Sequence, residues 1–174
     1  FGVTYNYVNV GLYFNLVKQT PDYFKIPEFH SGDANFRIKT KNGGIFKYYT
    51  TFAVGNLGLR RQDIDSSYLK NAFSLKNRNW YNNLSYRENI GNGWKMTIGA
   101  SFSTNLDKIQ QQVQDGNNQP KQFSSSEFWM ESKNFALDNL QTLTLGRAVF
   151  EKKLGGLSAL RFGSEYWHTN YKPT

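Results

Sequence analysis

Hydrophobic and polar residues alternate along several stretches of the chain with the period of two that is typical of β-strands. In residues 45–55 the even-numbered positions are mostly large and apolar, and in residues 94–103 the same alternation is cleaner still. A third alternating run, 34–41, is separated from 45–55 only by Asn42-Gly43-Gly44. Asn and Gly favour tight turns, so these two runs predict a β-hairpin.

The same unit of strand, tight turn and strand recurs along the chain. Runs 80–88 and 94–103 flank the glycines at 91 and 93, and runs 140–152 and 160–166 flank Gly155-Gly156. The phase of 140–152 is irregular, for which a β-bulge is one explanation. Residues 8–16 supply one more alternating run, which brings the prediction to about seven strands.

The predicted connections alternate between short and long. Short turns lie at 42–44, 90–93 and 153–156, and long polar segments lie at 19–32, 57–78 and 106–138. This alternation is typical of outer-membrane barrels, which have short periplasmic turns and long external loops. We interpret residues 123–133 as extracellular β-structure that extends the barrel wall. All four prolines (Pro21, Pro27, Pro120 and Pro173) fall outside the proposed strands, as their missing amide hydrogen requires.

The composition fits strands with one apolar and one wet face. The chain has 14 Phe, 11 Tyr and 4 Trp, yet its mean hydropathy is −0.64. In hydrocarbon every backbone amide must be paired within the protein, so strands cross a membrane only as a closed barrel. The prediction is an all-β, antiparallel, up-and-down outer-membrane β-barrel. The chain as a whole, residues 1–174, forms part of that one barrel domain, with about seven membrane strands. Bacterial barrels use an even number of strands, from 8 upward, so an odd number predicts a fragment. Either an eighth strand is missing or the chain is part of a much larger wall, and the long polar segments favour the larger wall.

No constellation of catalytic residues is visible, so the sequence does not predict an enzyme. His30 and His168 are the only histidines and cysteine is absent, so we predict no metal site and no cofactor. The formal net charge of +8 is spread along the chain without a block of basic residues, and nucleic acid is not an expected partner.

Three segments resemble the barrel region of TonB-dependent receptors of the Bacteroidota type, relatives of SusC-like nutrient transporters. They are 20–29 (TPDYFKIPEF), 79–104 (NWYNNLSYRENIGNGWKMTIGASFST) and 147–168 (RAVFEKKLGGLSALRFGSEYWH). The resemblance lies in the style of the strands and covers most of the chain.

The resemblance implies an importer in the cell outer membrane, in which a barrel of about 22 strands encloses a plug domain. It also implies several partners: outer-membrane lipid, the rest of the barrel with its plug, the TonB complex that pulls on the plug, and a surface lipoprotein. The sequence has no recognisable plug and no TonB box, the parts that drive transport in this family.

Two groups of side chains are candidates for ligand contact. Loop aromatics could stack on a ligand such as a sugar ring, and the candidates are Tyr23, Phe24, Tyr68, Phe73, Phe128 and Trp129. Charged residues on the polar side of the strands should face the barrel lumen, and these are Arg37, Lys39, Lys47, Lys95, Arg161 and Glu165. The lumen charges either keep the interior wet, pair with a plug, or guide an anionic ligand.

A small soluble barrel of the lipocalin kind, with an apolar ligand inside, is the alternative. It shares the same alternation, but its apolar faces point inward. The two hypotheses therefore differ in which face of the sheet meets water.

Overall fold

The computed structural model describes residues 1–19 and 22–173, which form one antiparallel sheet of seven strands. Thr20 and Pro21, at the start of the segment 20–29, lie outside the described residues, as does Thr174. The strands are β1 (Gly2–Asn9), β2 (Asp22–Lys39), β3 (Ile45–Gln62), β4 (Lys70–Gly91), β5 (Trp94–Gln114), β6 (Phe135–Gly155) and β7 (Ser158–Pro173).

Each strand pairs with its neighbours along the chain, in the order β1 to β7, and every pair is antiparallel. The prediction of an up-and-down antiparallel sheet is therefore confirmed. Among the described residues β1 and β7 do not pair with each other, so the sheet is open and these two strands are its edges.

The helical parts are short. Helix α1 (Gly11–Leu16) connects β1 to β2, and a 3-10 turn (Ser125–Glu127) followed by helix α2 (Phe128–Glu131) lies between β5 and β6. In the part of the chain that the structure describes, neither helix has the length and apolar character that crossing a bilayer would require.

The three predicted short turns are confirmed. Gly43 takes a φ of +81°, and Asn92 takes a φ of 49° between the positive-φ Gly91 and Gly93. Left-handed conformations of this kind are open mainly to Gly and Asn, which explains their presence at the turns.

The predicted long loops are largely wrong. The sheet runs through most of segments 19–32, 57–78 and 106–138, so that β4 is 22 residues long and β5 is 21. Between β2 and β7 the only longer connections are residues 63–69 and 115–134. Backbone pairing continues into polar sequence because the ladder uses main-chain groups, whatever the side chains are.

Other predictions are also corrected. Residues 8–16 are not one strand, because β1 ends at Asn9 and α1 follows. Residues 123–133 form helical turns instead of β-structure. Pro27 lies inside β2, in a stretch where the pairing with β3 is irregular, which is where a strand can accept a residue without an amide hydrogen. Pro173 is the last residue of β7.

The irregular phase of 140–152 does not come from a bulge. The pairing of β6 with β5 runs without a shift from Trp94↔Lys152 to Gln111↔Phe135. The strand instead carries apolar residues on both sides, with Leu143 and Leu145 on one and Ala148 and Phe150 on the other.

The registers define two faces, because directly paired residues point to the same side. Face A carries the even-numbered residues of β3 to β7 and of β2 from Glu28 onward, and the odd-numbered residues of β1. Face B carries the others.

Gly163 should tolerate a side chain poorly, because a Cβ there would lie 2.4 Å from the carbonyl oxygen of Ala148. We expect Gly163→Ala to lower the free energy of unfolding by about 1–3 kcal/mol, since strands β6 and β7 must move apart. The measurement is urea unfolding in detergent micelles, followed by tryptophan fluorescence.

Gly99→Ala is the matched control, since its Cβ would have only the carbonyl oxygen of Leu84 nearby, at an ordinary 3.5 Å. Equal losses of stability for the two variants would contradict the tight approach of β7 to β6.

Candidate functional site

The turn-proximal half of face A carries a broad apolar band. On β5 it runs from Trp94 to Leu106, and neighbouring strands continue it in register. Its larger members on β2 to β4 are Phe36, Ile38, Phe46, Tyr48, Phe52, Val54, Trp80, Leu84 and Tyr86, and on β6 and β7 they are Phe150, Leu160, Phe162 and Tyr166. Many of these rings and aliphatic chains are exposed, for example Trp80 at 48% and Ile98 at 42%.

Farther from the turns, the apolar residues change to face B. Leu57, Leu75, Ile109 and Leu137 are paired in one row across β3 to β6. The next row outward contains Leu59, Phe73 and Phe135. At the same height face A carries polar and charged residues, so the sheet is amphipathic in opposite senses in its two halves.

Two rows of polar side chains lie next to these apolar rows on face B. Asn77 Nδ2 donates hydrogen bonds to Asn105 Oδ1 (3.0 Å) and to Asp107 Oδ1 (2.5 Å), and Asn105 Nδ2 donates to Asp107 Oδ2 (2.5 Å). Asn139 and Gln141 on β6 continue the two rows in register. Face B therefore has a polar strip of amides and one carboxylate directly beside a strip of Leu, Ile and Phe side chains.

An apolar pocket of about 300 Å³ opens on face B at the β1 side of these rows. Its lining includes Val8, Pro27, Phe29, Leu57 and Leu75, with Asn77 at the polar strip. The pocket thus joins the apolar and the polar strip and could receive a ligand with both kinds of group.

The two longer loops pack together at the end of the sheet far from the short turns. This loop cap consists of residues 63–69 and 115–134. Leu69 and Met130 of the cap form a buried apolar cluster with Val113 of β5, which is 0% exposed, and Phe123 packs against this cluster.

A buried ion pair joins the two loops of the cap. The side chain of Asp63 is 0% exposed, and Lys133 Nζ lies 2.8 Å from both of its carboxylate oxygens. Asn71 Nδ2 also donates to Asp63 Oδ2 (2.6 Å), and Lys133 Nζ reaches Asp65 Oδ2 at 2.6 Å. A fully desolvated carboxylate is tolerated because these donors surround it.

The pKa values of this pair reflect the same contacts. Burial acts to raise the pKa of Asp63, but Lys133, the backbone N–H of Asp65 and Asn71 together hold this pKa below its usual value. The carboxylates of Asp63 and Asp65 raise the pKa of Lys133. Each partner therefore stays charged over a wider pH range than it would alone.

The aromatic residues predicted to bind a ligand do not form one site. Tyr23, Phe24 and Phe73 lie on strands and not on loops, and Phe73 belongs to the apolar row on face B. The ring of Tyr23 contacts that of Phe14 in a tilted arrangement (4.8 Å between ring centroids), and the guanidinium of Arg60 lies 4.3 Å from the centroid of the Phe24 ring.

The remaining three aromatics lie in the loop cap. Tyr68, which is 85% exposed, lines a cavity of about 630 Å³ together with Arg60 and Lys70. Phe128 and Trp129 are exposed residues of α2, and Lys133 Nζ lies 5.6 Å from the Trp129 ring.

The six charged residues predicted to face a lumen all lie on face B, in the turn-proximal half of the sheet (Arg37, Lys39, Lys47, Lys95, Arg161 and Glu165). Lys95 Nζ is 3.8 Å from Glu151, and Glu165 is 3.7 Å from Arg147. Arg37 and Lys47 are directly opposite each other. Within residues 1–19 and 22–173 neither of them has an ion pair, so the β2–β3 corner of face B is locally basic.

Apart from Phe73, the residues of the two face-B strips were not predicted as site residues from the sequence. Residues 71–79 do alternate, with Phe73 and Leu75 opposite Ser74 and Lys76. This signal could have identified a strand, but the many polar residues around it favoured a loop.

No group of three or more metal-ligating side chains is found within the described ranges. His30 lies on β2, where Nδ1 contacts the Tyr5 hydroxyl at 2.7 Å, and His168 lies on β7. Four strands separate them.

Comparison with known proteins gives no relative. The chain matches no protein-family model, no curated protein and no solved structure.

Lys133→Met should loosen the loop cap, because it leaves the buried Asp63 without its cation. We expect the cap to lose about 1–3 kcal/mol, seen as about tenfold to hundredfold faster hydrogen exchange of amides in residues 115–134. The control is Lys121→Met, whose ammonium makes only a 3.9 Å ion pair with Glu127. Comparable effects of the two variants would count against the Asp63–Lys133 contact.

The cap should also open in acid. A carboxylate with a lowered pKa stabilises the folded state above its unfolded pKa, about 3.9 for Asp. This contribution is lost as the pH falls through the lower pKa of the folded state. Because the pKa of Lys133 is raised, no matching loss is expected on the alkaline side until the pH exceeds its usual value of about 10.4. Trp129 fluorescence against pH measures the opening, and in Lys133→Met its midpoint should move to higher pH.

Proposed function

We propose that this chain is part of the wall of an outer-membrane β-barrel, in a TonB-dependent receptor that imports a nutrient ligand. The receptor part of this proposal rests on the resemblance of segments 20–29, 79–104 and 147–168. The barrel part rests on the sheet itself, and one observation carries it.

That observation is the exposed apolar band on face A. On β5 it extends from Trp94 to Leu106, which is about 40 Å along the strand at about 3.3 Å per residue. At a tilt of about 45° this corresponds to about 28 Å, close to the thickness of the hydrocarbon core. On the opposite face at this height, β2 to β5 carry mostly charged and small polar residues. Such a pairing suits lipid on one side and a water-filled lumen on the other.

Several polar groups within the band pair with one another, although Asn82 Nδ2 is buried without a partner among the described residues. The hydroxyls of Tyr48 and Thr50 both donate to Asn82 Oδ1, at 2.7 and 3.0 Å, and Trp80 Nε1 donates to Thr50 Oγ1 at 3.1 Å. Hydrocarbon offers no water to replace these partners, so mutual pairing reduces the cost of placing them there.

The soluble alternative requires the same residues to be enclosed. In a lipocalin-like barrel the rings of face A would fill a closed interior. Because the described sheet is open, apolar side chains are exposed on both faces, for example Phe52 (41%) on face A and Leu137 (45%) on face B. A detergent requirement for solubility would support lipid contact, and a monodisperse monomer in plain buffer would support enclosure.

In this proposal face B is the side on which ligand passes. The basic corner around Arg37 and Lys47 lies within the membrane, and the amide and apolar strips lie beyond it on the outer side. A ligand that carries both hydrogen-bonding groups and apolar surface would match these strips.

Ile98→Arg tests the facing of the band. In the protein that contains this chain, we expect the substitution to weaken membrane assembly by about 2–4 kcal/mol, because a guanidinium near midplane must leave water. The measurement is the amount of heat-modifiable protein in the outer-membrane fraction.

Thr97→Arg is the matched control, one residue away on face B, and should assemble nearly as well as the unmodified protein. If both variants assembled equally well, the lipid-facing assignment would be wrong.

Recovery of the full reading frame tests the receptor part separately, because a TonB-dependent receptor must carry a plug domain before its barrel.

A further inference from the structure

Basic residues follow directly after the apolar band on face A. Arg78 shares a row with Val54, Leu106 and Leu140, the last apolar residues of the band, and Lys172 of β7 lies in the same row. The next row outward pairs Asn56, Lys76, Lys108 and Asp138. The end of the band far from the short turns therefore has a cationic border.

Two lysines of this border lie opposite each other, and the neighbouring row positions supply only one carboxylate. Lys76 and Lys108 are directly paired on neighbouring strands, an arrangement that destabilises a sheet through charge repulsion. Lys108 forms an ion pair with Asp138. Lys76 has no ion pair within the part of the chain that the structure describes.

The side chains around these lysines line a cleft of about 650 Å³. We call it the basic cleft, and its polar lining includes Lys25, Asn56, Ser74, Lys76, Lys108 and Asp138. Three ammonium groups, one carboxylate and several hydrogen-bond donors face this space. The cleft thus has the charge and the donors that bind a phosphate oxygen.

We propose that the basic cleft binds the phosphate of an anionic lipid headgroup whose acyl chains lie along the apolar band. The proposal rests on the proposed function, since it needs face A to meet a bilayer. Lys108 lies two residues beyond Leu106, or about 7 Å along the strand. At a tilt of about 45° this is about 5 Å farther from the bilayer midplane, where headgroups follow hydrocarbon. Clusters of Lys and Arg at this position attract anionic lipid. A bound phosphate would also offset the repulsion between Lys76 and Lys108.

The test uses the full-length protein that contains this chain, purified from membranes and placed in nanodiscs of phosphatidylcholine with a minor fraction of phosphatidylglycerol. The protein is then released from the nanodiscs, and native mass spectrometry counts the anionic lipids that stay bound to it. We expect Lys76→Gln/Lys108→Gln to weaken this retention about thirtyfold, equivalent to about 2 kcal/mol at about 1.4 kcal/mol per factor of ten.

The control is Lys41→Gln/Lys153→Gln, which removes the same charge at the short-turn end of the sheet and should leave retention unchanged. Asp138→Asn should strengthen retention, because it frees Lys108 from its ion pair. Equal retention in the unmodified protein and in Lys76→Gln/Lys108→Gln would overturn the proposal. So would displacement of the lipid by millimolar inorganic phosphate, because the anion alone would then account for binding.

Flotation of the same protein with vesicles distinguishes a failure of the barrel proposal from a failure of the lipid site. A protein that does not float overturns both the barrel proposal and the lipid site. If the protein floats but Lys76→Gln/Lys108→Gln retains as much anionic lipid as the unmodified protein, only the lipid site is overturned.

Discussion

The rest of this structure depends on one constraint, which is that each strand pairs in a fixed register with the strands next to it in the sequence. From β3 to β6 the registers run for 18 or more paired positions without a shift, except beside the β4–β5 turn. Since side chains alternate with a period of two, a slip of one residue would move every apolar side chain of a strand to the opposite face. The band, the face-B strips and the basic border all exist only because the register is kept over the full length of these strands.

Along the same strands, the apolar residues change from face A near the short turns to face B farther away. Each face therefore has one apolar part and one polar part. Near the turns, face A is apolar and face B of β2 to β5 is mostly polar, while from the row of Leu57 and Leu75 outward the order is reversed. One uniform solvent on each side would not explain this pattern. The proposed bilayer contact on the lower part of face A would account for it, and would leave the upper part of face B for apolar contacts of another kind.

The sequence predicted the strands where its alternation agreed with an apolar band, as at Phe46–Val54 and Trp94–Phe102. It also predicted the short turns, because Gly and Asn have a specific conformational role there. It failed where the strands continue with polar residues and the phase inverts, as at Asn77 and Asp107, since hydropathy alone then suggests a loop. The Asp63–Lys133 pair could not be predicted, because 70 residues separate its partners and only the packing of two loops brings them together.

The open edges of the sheet have a consequence for the isolated chain. Strand β7 offers a main-chain edge about 16 residues long, and β1 offers another. Unused donors and acceptors along an exposed strand act as a template for further strands. With both edges exposed, this polypeptide would therefore recruit copies of itself, and self-association in solution would measure how strongly the two edges pair.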